Sequence, residues 1–175
     1  MRLIPIFLTL VTLAAATPLE EAILDLDTAI ENRLAVATDK TEVKALGQAG
    51  AAIKAYIAAA APDRKARALL PKAAKAITKS RTPDSAIAAD GQVAIQVELG
   101  AVVLDRRTEA FTKLGRPDLA GTKTFDKMTV LIAKGDAIMA TLPTIPDFAK
   151  ADASANKAID SYEKAIALAD KVPLP

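Results

Sequence analysis

The sequence predicts an all-α protein, an up-and-down bundle of five or six amphipathic helices. Of its 175 residues 39 are alanine, the strongest helix former. Apolar residues recur at steps of three and four along most of the chain, the period of a helix with one buried face. The chain has no cysteine, so helix packing without disulfides must hold the fold. Residues 17–175 are long enough to close one core, and we predict a single helical-bundle domain there.

The first sixteen residues, 1–16, have the pattern of a signal peptide. A positive start at Met1 and Arg2 precedes an apolar run at 3–13, and alanines at 14–16 supply the small residues that a signal peptidase reads. A buried N-terminal helix is the alternative. The pattern predicts a secreted protein, extracellular or in a cell wall. We expect no later segment to be apolar and long enough to cross a bilayer, so the protein is predicted not to span a membrane.

Capping signals mark the starts of the first two helices. Thr17 is followed by Pro18 at the first helical position and by Glu20 three residues after the cap. Asp39 and Glu42 have the same spacing. The predicted apolar stripes are Leu19, Ile23, Leu26, Ile30 and Leu34 in the first helix, and Val43, Leu46, Gly50, Ile53 and Ile57 in the second.

Prolines divide the middle of the chain, and one stretch there is ambiguous. Pro62 should end the second helix, and Pro71 should kink or split a third segment that runs from 63 to about 79. A fourth segment begins at Thr82 and Pro83. Within it, 93–99 alternates apolar and polar residues with the period of a strand, yet no partner strand is visible elsewhere. We therefore predict a helix at 93–99, with a strand as the alternative.

Two further helices follow a turn at 115–121 and a loop at 142–147. The apolar residues of each again fall on one face. The predicted faces are Phe125, Met128, Leu131, Ile132, Ile138, Met139 and Leu142 in the fifth helix, and Phe148, Ala155, Ile159, Tyr162, Ile166 and Ala169 in the sixth.

The composition argues against catalysis and against several kinds of partner. The chain has neither His nor Cys, so a zinc or copper site is not expected, and the usual general base and thiol nucleophile are missing. Paired acids such as Asp25 and Asp27 do not face each other on a helix. We predict a protein that is not an enzyme and needs no cofactor. The net charge of +2 also argues against a nucleic-acid partner.

A basic cluster at 64–81 is the strongest charge feature of the chain. It contains seven Lys and Arg residues, while the stretch 63–81 contains a single acid. One interpretation is a contact patch for an anionic partner, centred on Lys72, Lys75 and Lys79, which would make the protein a structural or protein-interaction module. The alternative is a solvated face that pairs with the acidic first helix. Pairing inside the bundle is the simpler interpretation, because it needs no outside partner.

The inner faces of the last three helices are a candidate site for a hydrophobic ligand. Phenylalanine, tyrosine and methionine are concentrated there, and methionine adapts well to variable apolar shapes. An ordinary core is the alternative. The candidate contact residues are Leu99, Val103, Phe111, Phe125, Met128, Met139, Phe148, Tyr162 and Ile166.

Several motifs resemble those of a known family. The leader passes into Ala-Ala-Ala-Thr-Pro-Leu at 14–19, and an acidic-Gly-Gln helix start lies at 89–92. A Leu-Asp, a basic pair and a Phe lie within 104–111, an Ala followed by Leu-Pro within 137–143, and Ile-Asp then Ala-Ile-Ala within 159–167. In these features the chain resembles the fungal hydrophobic surface-binding protein family, which includes the cell-wall galactomannoproteins.

This resemblance covers roughly residues 84–170 by motif and the N-terminal half by architecture only. It implies a secreted or wall-bound helical protein that adsorbs to hydrophobic surfaces. It further implies that fatty-acid-like ligands lie between helices and that a secreted lipolytic enzyme is a partner. The chain departs from the family pattern in a shorter stretch between Gln92 and Phe111 and in its strong basic cluster.

Overall fold

A computed structural model describes residues 19–59 and 64–174 of the chain. The described part is helical with no strand, so the all-α prediction is confirmed. The predicted leader at 1–16 and the cap at Thr17 lie outside the described residues. The helices are α1 (Leu19–Val36), α2 (Lys40–Ile57), α3 (Arg64–Arg67), α4 (Leu69–Ser80), α5 (Ser85–Ala88), α6 (Asp90–Leu114), α7 (Lys123–Thr141) and α8 (Phe148–Asp170), with 3-10 turns at Pro117–Leu119 and Leu142–Thr144.

One continuous core joins these helices. The helix α2 packs against α1 and α4, while α8 packs against α7, α6 and α4, and α6 also contacts α1. Many of the fully buried side chains are alanines, which let helices approach closely but bury little area each. The alanines with no exposed surface are Ala49, Ala73, Ala74, Ala110, Ala151, Ala155, Ala158, Ala165 and Ala169.

The stripe predicted for α2 is partly wrong. Leu46, Gly50 and Ile53 are buried as predicted, but Val43 and Ile57 are 38% and 39% exposed. Alanines at 45 and 49 and the side chain of Tyr56 are buried instead. The buried face of α2 is set by α1 and α4 together, because both helices pack on it. The spacing of apolar residues predicted the helix, but it included Val43 and Ile57 in the buried face and left out Ala45, Ala49 and Tyr56.

The ambiguous stretch and the proline break behave as the sequence predicts. Residues 93–99 are helical and lie within α6. The third segment is split, since α3 ends at Arg67 and α4 begins at Leu69, two residues before Pro71. A proline ring clashes with the carbonyl four residues earlier, here that of Arg67, so a single helix through this position is disfavoured.

The N-cap predicted at Asp39 forms, but the Glu42 side chain does not complete the predicted capping box. Asp39 accepts a hydrogen bond from the Glu42 backbone N–H at 2.8 Å, which confirms this N-cap. The Glu42 carboxylate does not complete the capping box, because it accepts two hydrogen bonds from Arg33 of α1 at 2.8 and 3.0 Å. Thr122 and Asp147 cap α7 and α8 in the same way as Asp39 caps α2.

One segment requires a correction to the expectation about membranes. By length and composition alone, the 30 residues Ser85–Leu114 are apolar enough to cross a bilayer. The core helix of a soluble protein meets the same criterion, and Ile95, Leu99 and Val103 of this segment are buried inside the bundle. The segment therefore qualifies by length and composition, and 44% of its qualifying window is buried inside the protein.

Candidate functional site

The nine candidate residues for an apolar ligand gather around α6, α7 and α8. Leu99, Met128 and Tyr162 have no exposed surface, and Val103 and Ile166 are nearly as buried. Phe125 and Met139 are half-buried and pack against the core, and Phe148 is half-buried as well. Phe111 differs from the other eight, because 42% of its surface is exposed. Seven of the nine candidate residues therefore belong to the core or pack against it, whereas Phe148 is only half-buried and Phe111 is at the surface.

A network of hydrogen bonds joins polar side chains of three helices in this part of the bundle. The Tyr162 hydroxyl donates a hydrogen bond to Oδ1 of Asp136 at 2.7 Å, and Arg107 donates to the same atom at 2.8 Å. The Arg107 guanidinium also lies 4.7 Å above the ring of Phe111. Burial favours the neutral acid at Asp136, but the hydrogen bonds from Arg107 and Tyr162 outweigh it and hold its pKa below the ordinary value. Burial, aided by Asp136, raises the pKa of Tyr162. The network joins α6, α7 and α8.

The basic cluster divides into two parts with different surroundings. Arg64 contacts Asp160 at 3.0 Å, and Arg67, only 1% exposed, donates two hydrogen bonds to Glu163 at 2.8 and 2.9 Å. These acids belong to α8, so the expectation that the cluster pairs with the acidic first helix is wrong. In α1, Glu31 pairs instead with Lys54 of α2.

The lysines of α4 form the second part of the cluster. Lys72, Lys75 and Lys79 are exposed, and none of them forms an ion pair with another described residue. Their spacing of three and four places them on one face of the helix. The opposite face, with Leu70 and Ile77, enters the core. The structure therefore leaves the three lysines available to solvent or to an anionic partner.

Sequence reasoning missed a set of polar side chains inside the bundle. Asp152 has no exposed surface, and neither of its carboxylate oxygens has a hydrogen-bond partner. Gln96 is 1% exposed, and both atoms of its amide group are equally without partners. Burial, with a smaller contribution from the negative charge of Asp147, raises the pKa of Asp152 to about 8. A signal was present, because Asp152 and Gln96 fall at helical spacing on apolar faces, where a polar residue is unusual.

The acidic side chains of the described residues do not gather as a metal site. In the parts 19–59 and 64–174, no group of three or more acidic side chains lies where it could hold a metal ion. Comparison of the chain with protein-family models, with curated proteins and with solved structures finds no match. The resemblance to the fungal surface-binding family, and the function and localisation that it implies, stay predictions.

Proposed function

We propose that this protein is a secreted, non-catalytic binding protein for apolar surfaces or lipids, and that α6, α7 and α8 supply the contacts. The observation that carries the proposal is the exposure of Phe111, an aromatic ring on the same three helices whose core includes or contacts seven of the other candidate residues. Contact would rest on the burial of apolar area rather than on directed polar bonds. The family resemblance extends the proposal to a cell-wall location and to recruitment of a secreted lipolytic enzyme.

The packing of α8 supports a binding mode in which the bundle opens. Its buried face carries five alanines, and an interface of alanines gains less free energy per residue than one of leucines. When α8 separates from its neighbours, its apolar face would pack against the apolar ligand or surface instead. Phe111 would make the first contact, since it is already exposed.

Replacement of Phe111 by serine tests this proposal. Because Phe111 is exposed and contacts Arg107 mainly through its ring face, Phe111→Ser should leave the fold intact. It should reduce adsorption to polystyrene beads and uptake of a fluorescent fatty acid. The matched control is Val130→Ser, which removes an apolar side chain that is 68% exposed on the outer face of α7.

The outcomes separate the possibilities. Reduced adsorption in Phe111→Ser alone supports the proposed contact. Equal reduction in both variants indicates nonspecific hydrophobicity and contradicts the assignment of the contact to Phe111. If the wild-type protein neither adsorbs to beads nor takes up the fatty acid at micromolar concentration, the proposed function is wrong.

A second candidate function rests on the α4 lysines. Lys72, Lys75 and Lys79 are exposed on one helix face without ion-pair partners among the described residues, so they can contact an anionic partner through long-range attraction. Replacing all three by glutamine should abolish retention on polyaspartate beads, and high salt should weaken retention of the wild type.

A triple variant of equal net charge is the control for this candidate. Lys127, Lys134 and Lys157 are also exposed, but they lie on α7 and α8. If their replacement by glutamine weakens retention as much as replacement of the α4 lysines, binding depends on overall charge and the patch has no role of its own.

A further inference from the structure

Two buried side chains at one interface lack hydrogen-bond partners throughout. Asp152 lies on α8 and Gln96 on α6, two helices that pack against each other, and both side chains are almost completely buried. All four of their terminal polar atoms are without a protein partner. Buried polar groups in folded proteins are satisfied in the great majority of cases, by protein, water or a bound ion. Two such side chains at one interface therefore indicate that both contact the same bound ion or molecule.

The ion pairs between α6 and α8 show that these side chains lie at the same level. Lys113 pairs with Asp170, 57 positions further along the chain, and Arg106 lies 3.8 Å from Glu163 at the same offset. The two helices therefore run parallel with a constant register. The same offset places Asp152 beside the turn of α6 that contains Gln96.

The polar atoms without hydrogen-bond partners at this interface are mainly oxygens. Asp152 offers two carboxylate oxygens and Gln96 an amide oxygen, and one turn along α8 the Oδ1 atom of Asn156 is also buried and without a partner. The Asn156 amide nitrogen is already engaged, since it donates to the Arg67 carbonyl at 3.2 Å. Oxygen ligands of this kind, carboxylate and amide carbonyl, are those that hard cations prefer.

Once Asp152 loses its proton, the charges around it leave the carboxylate uncompensated. The one charged group that acts on its pKa is Asp147, which is itself negative. The Arg67 guanidinium, on α3, is directed to Glu163 and Asp160. On α6, Glu98 lies two residues from Gln96 and accepts a hydrogen bond from Tyr56. The α4 lysines at 72, 75 and 79 are exposed on the outer face of that helix.

We propose that Asp152 and Gln96, with Asn156 as a third ligand, form a buried site for a monovalent metal cation, Na⁺ or K⁺. Buried charges in proteins are paired or coordinate metal ions, and a cation would both balance the carboxylate and satisfy the amide oxygens. A single carboxylate balances one positive charge. A Mg²⁺ or Ca²⁺ ion would keep an unbalanced charge in the interior, where such a charge is expensive. The site is independent of the function proposed above.

Thermal unfolding in different salts tests this proposal. A ligand that binds only the folded state raises its stability with concentration, so the midpoint should be about 4 °C higher at a cation concentration ten times its Kd. Melting is compared in NaCl, KCl and choline chloride at equal ionic strength and pH 8, because the quaternary choline ion is much larger than Na⁺ or K⁺ and cannot be coordinated by oxygens in the same way. Asp152→Asn should abolish the difference between salts. The control Asp25→Asn removes an exposed acid of α1 and should retain the difference.

A second measurement reads the site directly. The carboxyl ¹³C signal of Asp152, followed by NMR against pH, should titrate at lower pH in NaCl or KCl than in choline chloride, since a bound cation favours the charged acid. Equal midpoints in all three salts, or a salt response that survives in Asp152→Asn, would overturn the proposal. A response to MgCl₂ or CaCl₂ alone would overturn the choice of a monovalent ion.

Discussion

The buried acid on α8 should make the stability of this protein depend on pH in a direction opposite to that of most acids. The substitution that reveals this dependence is Asp152→Asn, which keeps the shape of the side chain and removes its charge. Asp152 has no exposed surface, and burial raises its pKa to about 8. In the unfolded chain an aspartate titrates near about 3.9. The folded state therefore retains a proton that the unfolded state releases.

The sign and size of the effect follow from this difference in pKa. Because the folded-state value is raised, the stabilising contribution of Asp152 is complete below about pH 4 and is lost progressively as the pH rises to about 8. Each pH unit in this window changes the free energy of unfolding by about 1.4 kcal/mol. Between pH 5 and pH 7 the loss is about 3 kcal/mol. The acids with lowered pKa values, Glu42, Asp118 and Asp136, titrate below this window and do not cancel the slope.

Urea unfolding followed by circular dichroism at pH 5, 6 and 7, with choline chloride as the salt, measures the slope. The wild type should lose stability across this range, whereas Asp152→Asn should keep only the smaller slope that comes from Asp27, whose pKa is also raised by burial. An unpaired asparagine amide carries its own cost of burial, about 1–3 kcal/mol, but this cost does not vary with pH. The exposed control Asp25→Asn should behave as the wild type. Parallel pH profiles for the wild type and Asp152→Asn would refute the reasoning.

Two further predictions concern packing and the buried arginine. A methyl group at Gly135 would lie 2.5 Å from Cε1 of Tyr162, so Gly135→Ala should lower the free energy of unfolding by about 1–3 kcal/mol. Nothing lies within 4 Å of a methyl group at Gly100, so Gly100→Ala should instead raise it by about 0.5–1 kcal/mol. Glu163→Gln should destabilise the protein by about 1–3 kcal/mol, because it weakens the pairing of Arg67, a cation that is only 1% exposed. Arg67→Met should cost less, because the acid that it leaves without this partner, Glu163, is 34% exposed and stays hydrated. Urea unfolding measures all four variants; a stabilised Gly135→Ala or a larger loss in Arg67→Met would contradict the respective argument.

The candidate site shows what the helical spacing of apolar residues can predict and what it cannot. Spacing identified the apolar residues of the last three helices, and the structure gathers them in one place. It did not separate Phe111, which is exposed, from Leu99 and Met128, which have no exposed surface. Exposure depends on which neighbouring helix covers a given face, and no single helix carries that information.

In the sequence, the two buried polar residues were visible only as interruptions of apolar helix faces. Asp152 lies seven residues before Ile159, on the same side of α8, and Gln96 lies seven residues before Val103 on α6. Each position interrupts an apolar face. The spacing could have indicated a polar residue pointing inward, but it could not indicate that the two residues lie at one level, because that depends on the register between two helices.

The sequence by itself determined the local features of this protein. Alanine content, apolar period and capping residues predicted an all-α fold, a break near Pro71 and a helix at 93–99, because hydrogen bonds and steric clashes within a few residues decide these features. The tertiary structure decided everything that joins distant residues. It paired Arg67 with Glu163, 96 positions away, in place of the acidic first helix, and it turned α2 so that Val43 is exposed. These outcomes depend on which helices pack together, since burial and ion pairing are set by neighbours in space and not by neighbours in the chain.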